Sequence, residues 1–125
     1  MFKKIGTLNC VCLCQVFGLL QTDEVIITPE RENHIKSRHP EDYALFEKFA
    51  KTIITSPDMI IKDEKHIGTI FLIKALEDTN LSIIIRVALE TDTPGYQNSV
   101  MTFYRIRDKN LKKLVRKNQI LYRIK

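Results

Sequence analysis

The spacing of hydrophobic residues changes along the chain, from a helical period before residue 58 to a strand period after it. Thr28-Pro29-Glu30 predicts a helix start, because threonine can cap a helix, proline suits its first turn and glutamate favours its positive end. This helix should end near Arg38 or His39, since Pro40 disfavours helical geometry in the residue before it. A second helix is predicted from Pro40 to the Ser56-Pro57-Asp58 stop, with apolar residues on an approximately 3.6-residue stripe. The stripe is formed by Tyr43, Leu45, Phe46, Phe49, Ile53 and Ile54.

Strand-like runs dominate the rest of the chain, apart from one short element over Asn9–Leu20 and a brief helix from Asp108 to about Lys117. These runs are Glu24–Ile27, Met59–Ile61, Thr69–Leu76, Leu81–Leu89, Ser99–Arg107 and Ile120–Ile124. Short, turn-like connections such as Asp78-Thr79-Asn80 and Thr93-Pro94-Gly95 favour an antiparallel meander. Helices followed by strands indicate an α+β fold in which the helices pack on one face of a sheet.

Composition and charge restrict the functional classes. The 125 residues contain no internal repeat or linker, which predicts one domain over residues 1–125. The formal net charge of +5 favours an anionic partner such as RNA, DNA or a membrane surface. Because an apolar run reaches Leu20 without a cleavage site and with polar interruptions, we expect it to be part of the fold and not a signal peptide or membrane span.

The three cysteines alternate as Cys10, Cys12 and Cys14. Their odd number argues against a disulfide framework, and free thiols suit a reducing cytoplasm. Metal binding is an alternative for such a cluster, but the usual C-x-x-C spacing is missing and the neighbouring residues are apolar. We therefore interpret the cysteines as small buried hydrophobes and expect no metal ion or other cofactor.

Candidate chemistry begins on the first predicted helix, where Arg31, His34 and Arg38 share one face. Two arginines beside a histidine disfavour the charged imidazole unless an anion is bound there, and a phosphodiester is one such anion. The alternative is an ordinary solvated basic face.

The strands add further candidates. Lys74 and Arg86 interrupt apolar runs, so each either meets a carboxylate, such as Glu77 or Glu90, or faces a cleft. The strand beginning at Asn98 carries two hydroxyl residues, Ser99 and Thr102, which strict alternation places on opposite sheet faces. Both reach one cleft only if Ser99 lies in the preceding turn or at a bulge. Tyr122 lies on the final strand, where tyrosines are more often buried.

Several stretches, taken in order, carry a resemblance to a known family. They are Lys4-Ile5-Gly6-Thr7-Leu8-Asn9, Val25-Ile26-Ile27-Thr28, His34-Ile35, Arg38-His39-Pro40, Ser56-Pro57-Asp58, Thr69, Lys74, Arg86, Asn98-Ser99-Val100-Met101-Thr102 and Ile120-Leu121-Tyr122. Together they resemble the phage-borne barnase–EndoU–colicin–RelE-like nuclease family (PBECR). The resemblance implies N-terminal helices on a four-stranded, or slightly larger, antiparallel sheet, and a metal-independent ribonuclease in a phage, mobile-element or toxin setting. The segment Cys10–Gln21 departs from the polar, helix-like sequence expected there.

The resulting hypothesis is RNA cleavage by attack of a 2′-hydroxyl on the neighbouring phosphorus. His34 is the leading acid or base, with His39 as a second candidate, because imidazole titrates near neutral pH. The remaining candidates divide between phosphate neutralisation (Arg38, Arg86 and Lys74), hydrogen bonding to phosphate (Ser99 and Thr102) and substrate binding (Arg31, Lys74, Asn98 and Tyr122). A toxin setting would add a cognate inhibitor or immunity protein as a partner. The alternatives are a non-catalytic RNA-binding module and a partner-binding protein on the same fold.

Overall fold

The computed structural model describes residues 2–9, 11–38 and 40–124, which form four helices and seven strands in an α+β arrangement. In chain order these elements are β1 (Lys3–Thr7), α1 (Val11–Phe17), β2 (Glu24–Ile27), α2 (Pro29–Arg38), α3 (Pro40–Thr55), β3 (Met59–Lys62), β4 (Thr69–Ala75), β5 (Asn80–Arg86), β6 (Asn98–Ile106), α4 (Asp108–Lys117) and β7 (Gln119–Arg123). The predicted α+β class is confirmed. None of the helices in the described ranges is long and apolar enough to cross a membrane.

All seven strands join one sheet in the order β1-β2-β6-β5-β4-β3-β7. The predicted antiparallel meander is present as β3 to β6, with each strand antiparallel to the next. The predicted four-stranded, or slightly larger, antiparallel sheet is not confirmed in detail, because β1, β2 and β7 extend the meander to seven strands and β2 runs parallel to β6. The physical reason is non-local pairing: β2 docks beside a strand that follows it by about 70 residues, which local sequence patterns do not encode.

The sheet has two faces with separate hydrophobic cores. Leu72, Ile83 and Phe103 are fully buried on the face covered by α1, α2 and α3, here called the α3 face. Phe71 and Ile73 point the other way and pack beneath α4, on what is here called the α4 face. Because residues paired across strands point to the same face, the register assigns each strand position to one of these two surfaces.

Local sequence explains how the helices lie on the sheet. The Thr28 hydroxyl oxygen accepts a hydrogen bond from the backbone NH of Arg31 at 3.3 Å, so the predicted cap of α2 is present. In α2 only Ile35 is buried, and it anchors the helix to the α3-face core. A side chain at Gly6 would place its Cβ 3.0 Å from Cγ2 of Ile54, so glycine permits the close approach of α3 to β1.

The cysteine segment forms α1, with Leu13 fully buried and Cys12 packed against the same core. Cys12 and Cys14 are half-buried free thiols and not the buried hydrophobes that the sequence predicted, because α1 lies at the surface and only Leu13 points fully into the core. Partial burial raises the pKa of Cys12. Cys10 lies outside the described residues. Over the ranges that the structure describes, no group of three His, Cys, Asp or Glu side chains is arranged to hold a metal ion.

Candidate functional site

A bulge in β6 brings three candidate side chains to one face of the sheet. Arg86 pairs with Ser99 and Ile84 pairs with Thr102, while the register between them slips by one residue at Met101. Ile84 packs on the α4 face, and Arg86 is two residues further along the same strand. Ser99, Thr102 and Arg86 therefore all face the α4 side, which strict alternation would have prevented.

The two hydroxyls at this bulge differ in their contacts. Ser99 is half-buried and donates to the backbone carbonyl oxygen of Gln97 at 3.2 Å. Thr102 is also half-buried, and within the described part of the chain its hydroxyl has no hydrogen-bond partner. Thr102 is therefore the hydroxyl that is freer to bind a ligand.

Arg86 is held by a carboxylate that sequence reasoning did not name. Its Nη1 and Nη2 atoms lie 3.1 and 2.9 Å from the two carboxylate oxygens of Asp92, and the pair is largely shielded from solvent. The Arg86 guanidinium lowers the pKa of Asp92, helped by a hydrogen bond from the backbone NH of Leu89. The expected carboxylate partners were Glu77 and Glu90, but the β5–β6 connection folds back and presents Asp92 instead. A phosphate binding at these two nitrogens must compete with that carboxylate.

The surroundings of Arg86 keep its guanidinium in one place. It donates to the carbonyl oxygen of Val87, and its carbon Cζ lies 5.9 Å from the ring centre of Tyr96. Gly68 has a φ of +84° and would place a Cβ 2.7 Å from Cζ of Arg86. Glycine at this position thus both permits the backbone turn and leaves room for the guanidinium.

The basic face of α2 reaches the same bulge at the edge of the sheet, although α2 itself packs on the α3 face and the hydroxyls point to the α4 face. Strand β2 pairs with β6 only through Val25 with Asn98 and Ile26 with Ser99, so β2 leaves the rest of β6 unpaired on this side. Helix α2 follows β2 and contacts this free edge, where Nη1 of Arg31 donates to the carbonyl oxygen of Met101 at 3.5 Å.

The other members of that basic face follow from the helical spacing. His34 is half-buried and Arg38 is exposed, and neither has a hydrogen bond or ion pair to another described residue. Because both share a helix face with Arg31, they lie along the side of α2 that is turned towards the β6 edge. His39, the second candidate acid or base, lies outside the described residues.

Asn98 has a different role from its neighbours. Its side chain is fully buried, and its Oδ1 accepts a hydrogen bond from the backbone NH of Ala88 at 2.7 Å. Its Nδ2 donates to the carbonyl oxygens of Thr22 and Glu24 at 2.8 and 2.9 Å. The amide therefore ties together the segments around β2, β5 and β6, and no donor remains for a ligand.

The family model described as phage-Barnase-EndoU-ColicinE5/D-RelE like nuclease3 matches residues 3–113 of the chain. The chain belongs to this nuclease family. No curated protein and no solved structure matches it. The matched region includes the β6 bulge, Arg86 and the basic face of α2, whereas the end of α4 and all of β7 lie beyond it.

Two sequence candidates lie away from the bulge of this nuclease domain. Lys74 pairs in register with Leu81 and Tyr122 with Ile60, which puts both on the α3 face. Both line a separate cavity of about 220 Å³ at the end of α3. The Lys74 ammonium lies 3.2 Å from Oδ1 of Asp58, so the lysine has the carboxylate partner that the sequence allowed for, although not one of the two that were named.

Asp92 and Tyr96 are the neighbours of Arg86 that sequence reasoning missed. Both lie in the β5–β6 connection, 6 and 10 residues after Arg86. The Thr93-Pro94-Gly95 turn was a usable signal, because a turn so close to a strand end brings the chain back over that end.

Proposed function

We propose that the chain is an endoribonuclease that cleaves RNA by internal transesterification at the β6 bulge, without a metal ion. The observation that carries the proposal is the bulge itself, which aligns Ser99 and Thr102 with Arg86 beside the basic face of α2. Membership of a nuclease family supports cleavage of nucleic acid, and the net charge of +5 supports binding of a polyanion.

The proposed reaction needs one base and one acid. A base removes the proton of a ribose 2′-hydroxyl, and the oxygen then attacks the adjacent phosphorus. The bond from phosphorus to the 5′-oxygen breaks, an acid protonates that oxygen, and a 2′,3′-cyclic phosphate remains. His34 is proposed as the base or the acid, because its imidazole is half-buried and has no protein partner among the described residues. His39 is proposed for the complementary role.

Cations and hydroxyls would stabilise the charge that develops on phosphorus. Arg31 and Arg38 carry charges without a carboxylate partner in the described part of the chain, so they are proposed to bind the phosphate directly. Ser99 and Thr102 would donate hydrogen bonds to its non-bridging oxygens. Arg86 adds a fixed positive edge to the cleft, at a strength reduced by its pair with Asp92.

The proposal assigns different roles to the other candidates. Lys74 and Tyr122 take no part in the chemistry, since both line the separate cavity at the end of α3, away from the bulge. Asn98 acts indirectly, by holding the strand that carries the hydroxyls.

The test is cleavage of a labelled RNA in excess chelator by wild type, His34→Ala and His66→Ala. His66 is a matched control, because it is a histidine in an exposed loop whose ring, among the described residues, bonds only to Asp63. We expect His34→Ala to lose at least about 100-fold in rate and His66→Ala to keep its activity. A 2′-deoxy substitution at the cleaved nucleotide should abolish cleavage. Absence of cleavage by folded wild type, an unaffected His34→Ala variant, or cleavage of the deoxy substrate would each remove the mechanism.

A non-catalytic RNA-binding module is the second candidate, favoured by one observation: the Arg86 nitrogens are already bonded to Asp92. Affinity for RNA that falls steeply with salt, without cleavage, would support this alternative. An active nuclease in the cytoplasm that makes it would also need a cognate inhibitor. Toxicity on expression that His34→Ala relieves would support that partner, and harmless expression of an active enzyme would argue against it.

A further inference from the structure

A small cavity continues the α4 face of β6 beyond the bulge. Tyr104 lies two residues after Thr102 and pairs with Ser82, so its ring faces the same side as the hydroxyls of the proposed cleft. The cavity lies between Tyr104 and the α4 residues Asn110, Lys113 and Lys117, and its volume is about 340 Å³. This is near the lower end of the roughly 300 to 1,000 Å³ typical of small-molecule pockets, and it leaves room for one nucleotide.

The charged groups around this cavity are unequally neutralised. Arg105 also lines it, but its Nε lies 2.7 Å from Oδ1 of the buried Asp42. Lys113 and Lys117 have no carboxylate within ion-pair distance in the described ranges. Two lysine ammonium groups are therefore available to an anion at the cavity rim.

The two asparagine side chains that line the cavity also differ in whether they already have hydrogen-bond partners. The Asn118 side chain accepts from the backbone NH of Glu64 and donates to the carbonyl oxygen of Leu114. Asn110 has no such hydrogen bond to the rest of the described chain. Burial raises the pKa of Tyr104, so its phenol stays protonated and its ring is neutral at physiological pH. One ring, one amide and two cations remain for a ligand.

We propose that this cavity binds one nucleotide of the RNA, next to the phosphate that is cleaved at the bulge. The base lies against the Tyr104 ring, the Asn110 amide bonds to the base edge, and the phosphate lies on Lys113 and Lys117. Stacking on an aromatic ring and lysine contacts to phosphate are the general means by which proteins hold single-stranded nucleic acid. The inference rests on the proposed function, because only cleavage at the bulge makes this nucleotide a neighbour of the reacting one.

The distance along the strand suits such a neighbour. Thr102 and Tyr104 are two strand residues apart, about 6.7 Å. One nucleotide can therefore connect a phosphate at Thr102 to a base at Tyr104. The family match ends at residue 113, so Lys117 belongs to a part of this chain that the family model does not cover.

The test uses a fluorescent 2′-O-methyl oligoribonucleotide, which can bind but cannot form the 2′-oxygen nucleophile. Anisotropy titrations at several salt concentrations compare wild type with Lys113→Gln/Lys117→Gln. The matched control is Lys109→Gln/Lys112→Gln, which removes the same charge from the same helix but at the wider groove beside Met59, with which the cavity shares Lys113 but not Lys117.

Each lost phosphate contact on a single strand lowers the slope of log K against log salt by about 0.7. Because both lysines bind one phosphate, we expect the Lys113/Lys117 variant to lose about 0.7 in slope, so its deficit in affinity relative to wild type shrinks about 2.6-fold between 0.05 and 0.2 M salt. The control should keep the wild-type slope to within a few tenths. Equal slope losses in both variants would indicate diffuse attraction and overturn the subsite, as would no loss in either.

Two further outcomes distinguish failure of this inference from failure of the proposed ribonuclease function. Cleavage by wild type with an unchanged slope in the Lys113/Lys117 variant overturns the subsite and leaves the proposed function. If that variant loses slope but wild type cleaves no natural RNA, the cavity is a nucleotide-binding site and the nuclease mechanism is wrong. Equally tight binding of poly-glutamate, lost in the same variant, would overturn the inference in favour of an acidic polypeptide site.

Discussion

Replacing Asn98 by alanine should destabilise the fold strongly while leaving the chemistry of the cleft in place. The change removes three hydrogen bonds to backbone groups, of 2.7, 2.8 and 2.9 Å, from a fully buried side chain. At about 1 kcal/mol for each bond, the unfolding free energy should fall by roughly 3 kcal/mol. A chain of this size is stabilised by about 5 to 15 kcal/mol, so the variant should still fold at 25 °C.

Urea unfolding, followed by circular dichroism and by tyrosine fluorescence, measures this loss. The matched control is Ser99→Ala, the next residue, which loses one hydrogen bond at 3.2 Å from a half-buried hydroxyl. We expect about 1 kcal/mol or less for the control, and a melting temperature roughly 10 °C lower for Asn98→Ala. RNA affinity should be unchanged for folded Asn98→Ala, because no donor of this amide is free for a ligand.

One pattern of results would refute this reasoning. If Asn98→Ala kept the wild-type stability but lost RNA affinity by tenfold or more, the amide would be a substrate contact and not a tie between backbone segments. The sequence-based assignment of Asn98 to substrate binding would then be correct.

Three other predictions concern the ion pairs and the glycine turn. Gly68→Ala should lower the unfolding free energy more than Gly18→Ala. Both glycines have a positive φ, so each substitution costs about 1 kcal/mol through the backbone. Only a side chain at Gly68 would also displace the Arg86 guanidinium. Asp92→Asn should be less stable than wild type at pH 7, and the difference should vanish in acid. The folded pKa of Asp92 lies below 3.8, so the stabilisation is complete above about pH 5 and is lost as the pH falls through the lowered folded value. Lys74→Gln should lower the unfolding free energy by about 1 kcal/mol, through a partly buried ion pair.

Urea unfolding at several pH values checks all three. Equal losses for Gly68→Ala and Gly18→Ala would show that the guanidinium moves aside freely, since nothing lies within 4 Å of a Cβ at Gly18. A stability difference between wild type and Asp92→Asn that is as large at pH 2 as at pH 7 would contradict the assigned pair with Arg86. If Lys74→Gln were as stable as wild type, the ion pair between Lys74 and Asp58 would contribute nothing to the unfolding free energy.

Local sequence patterns predicted most of the elements, because their signals lie within a few residues. Helix α2 runs from Pro29 to Arg38, as the Thr28 cap and the proline at position 40 indicated. The end of α3 before Pro57 follows from the same rule. Strand β1 (Lys3–Thr7) was missed, since its Lys-Lys-Ile-Gly-Thr sequence has little strand character of its own and depends on pairing with β2.

The candidate site was less predictable because its geometry depends on partners that are remote in sequence. Sequence alternation separated Ser99 from Thr102 and allowed a bulge only as an exception, since strand register is determined by the packed sheet. The apolar strand around Arg86 predicted either a carboxylate partner or a cleft, but only the folded β5–β6 connection selects Asp92. Asn98 looked like part of a polar site, yet its donors satisfy backbone carbonyls at the start of a strand.

The charge distribution around the bulge assigns different tasks to the helices and the sheet. Arg86, the cation at the bulge on the α4 face, is paired with Asp92. The sheet therefore contributes mainly the hydroxyl groups of Ser99 and Thr102 there. In the part of the chain that the structure describes, positive charge without a nearby carboxylate comes instead from Arg31 and Arg38 on α2 and from Lys113 and Lys117 on α4, on opposite faces of the sheet. Since α2 contacts β6 at Met101 and α4 lies beside its Tyr104 end, a polyanion along the edge of β6 would meet cations from both helices close to the hydroxyls. The single extra residue Met101 makes this arrangement possible, because it turns Thr102 to the Arg86 side while its carbonyl oxygen holds Arg31 at the edge.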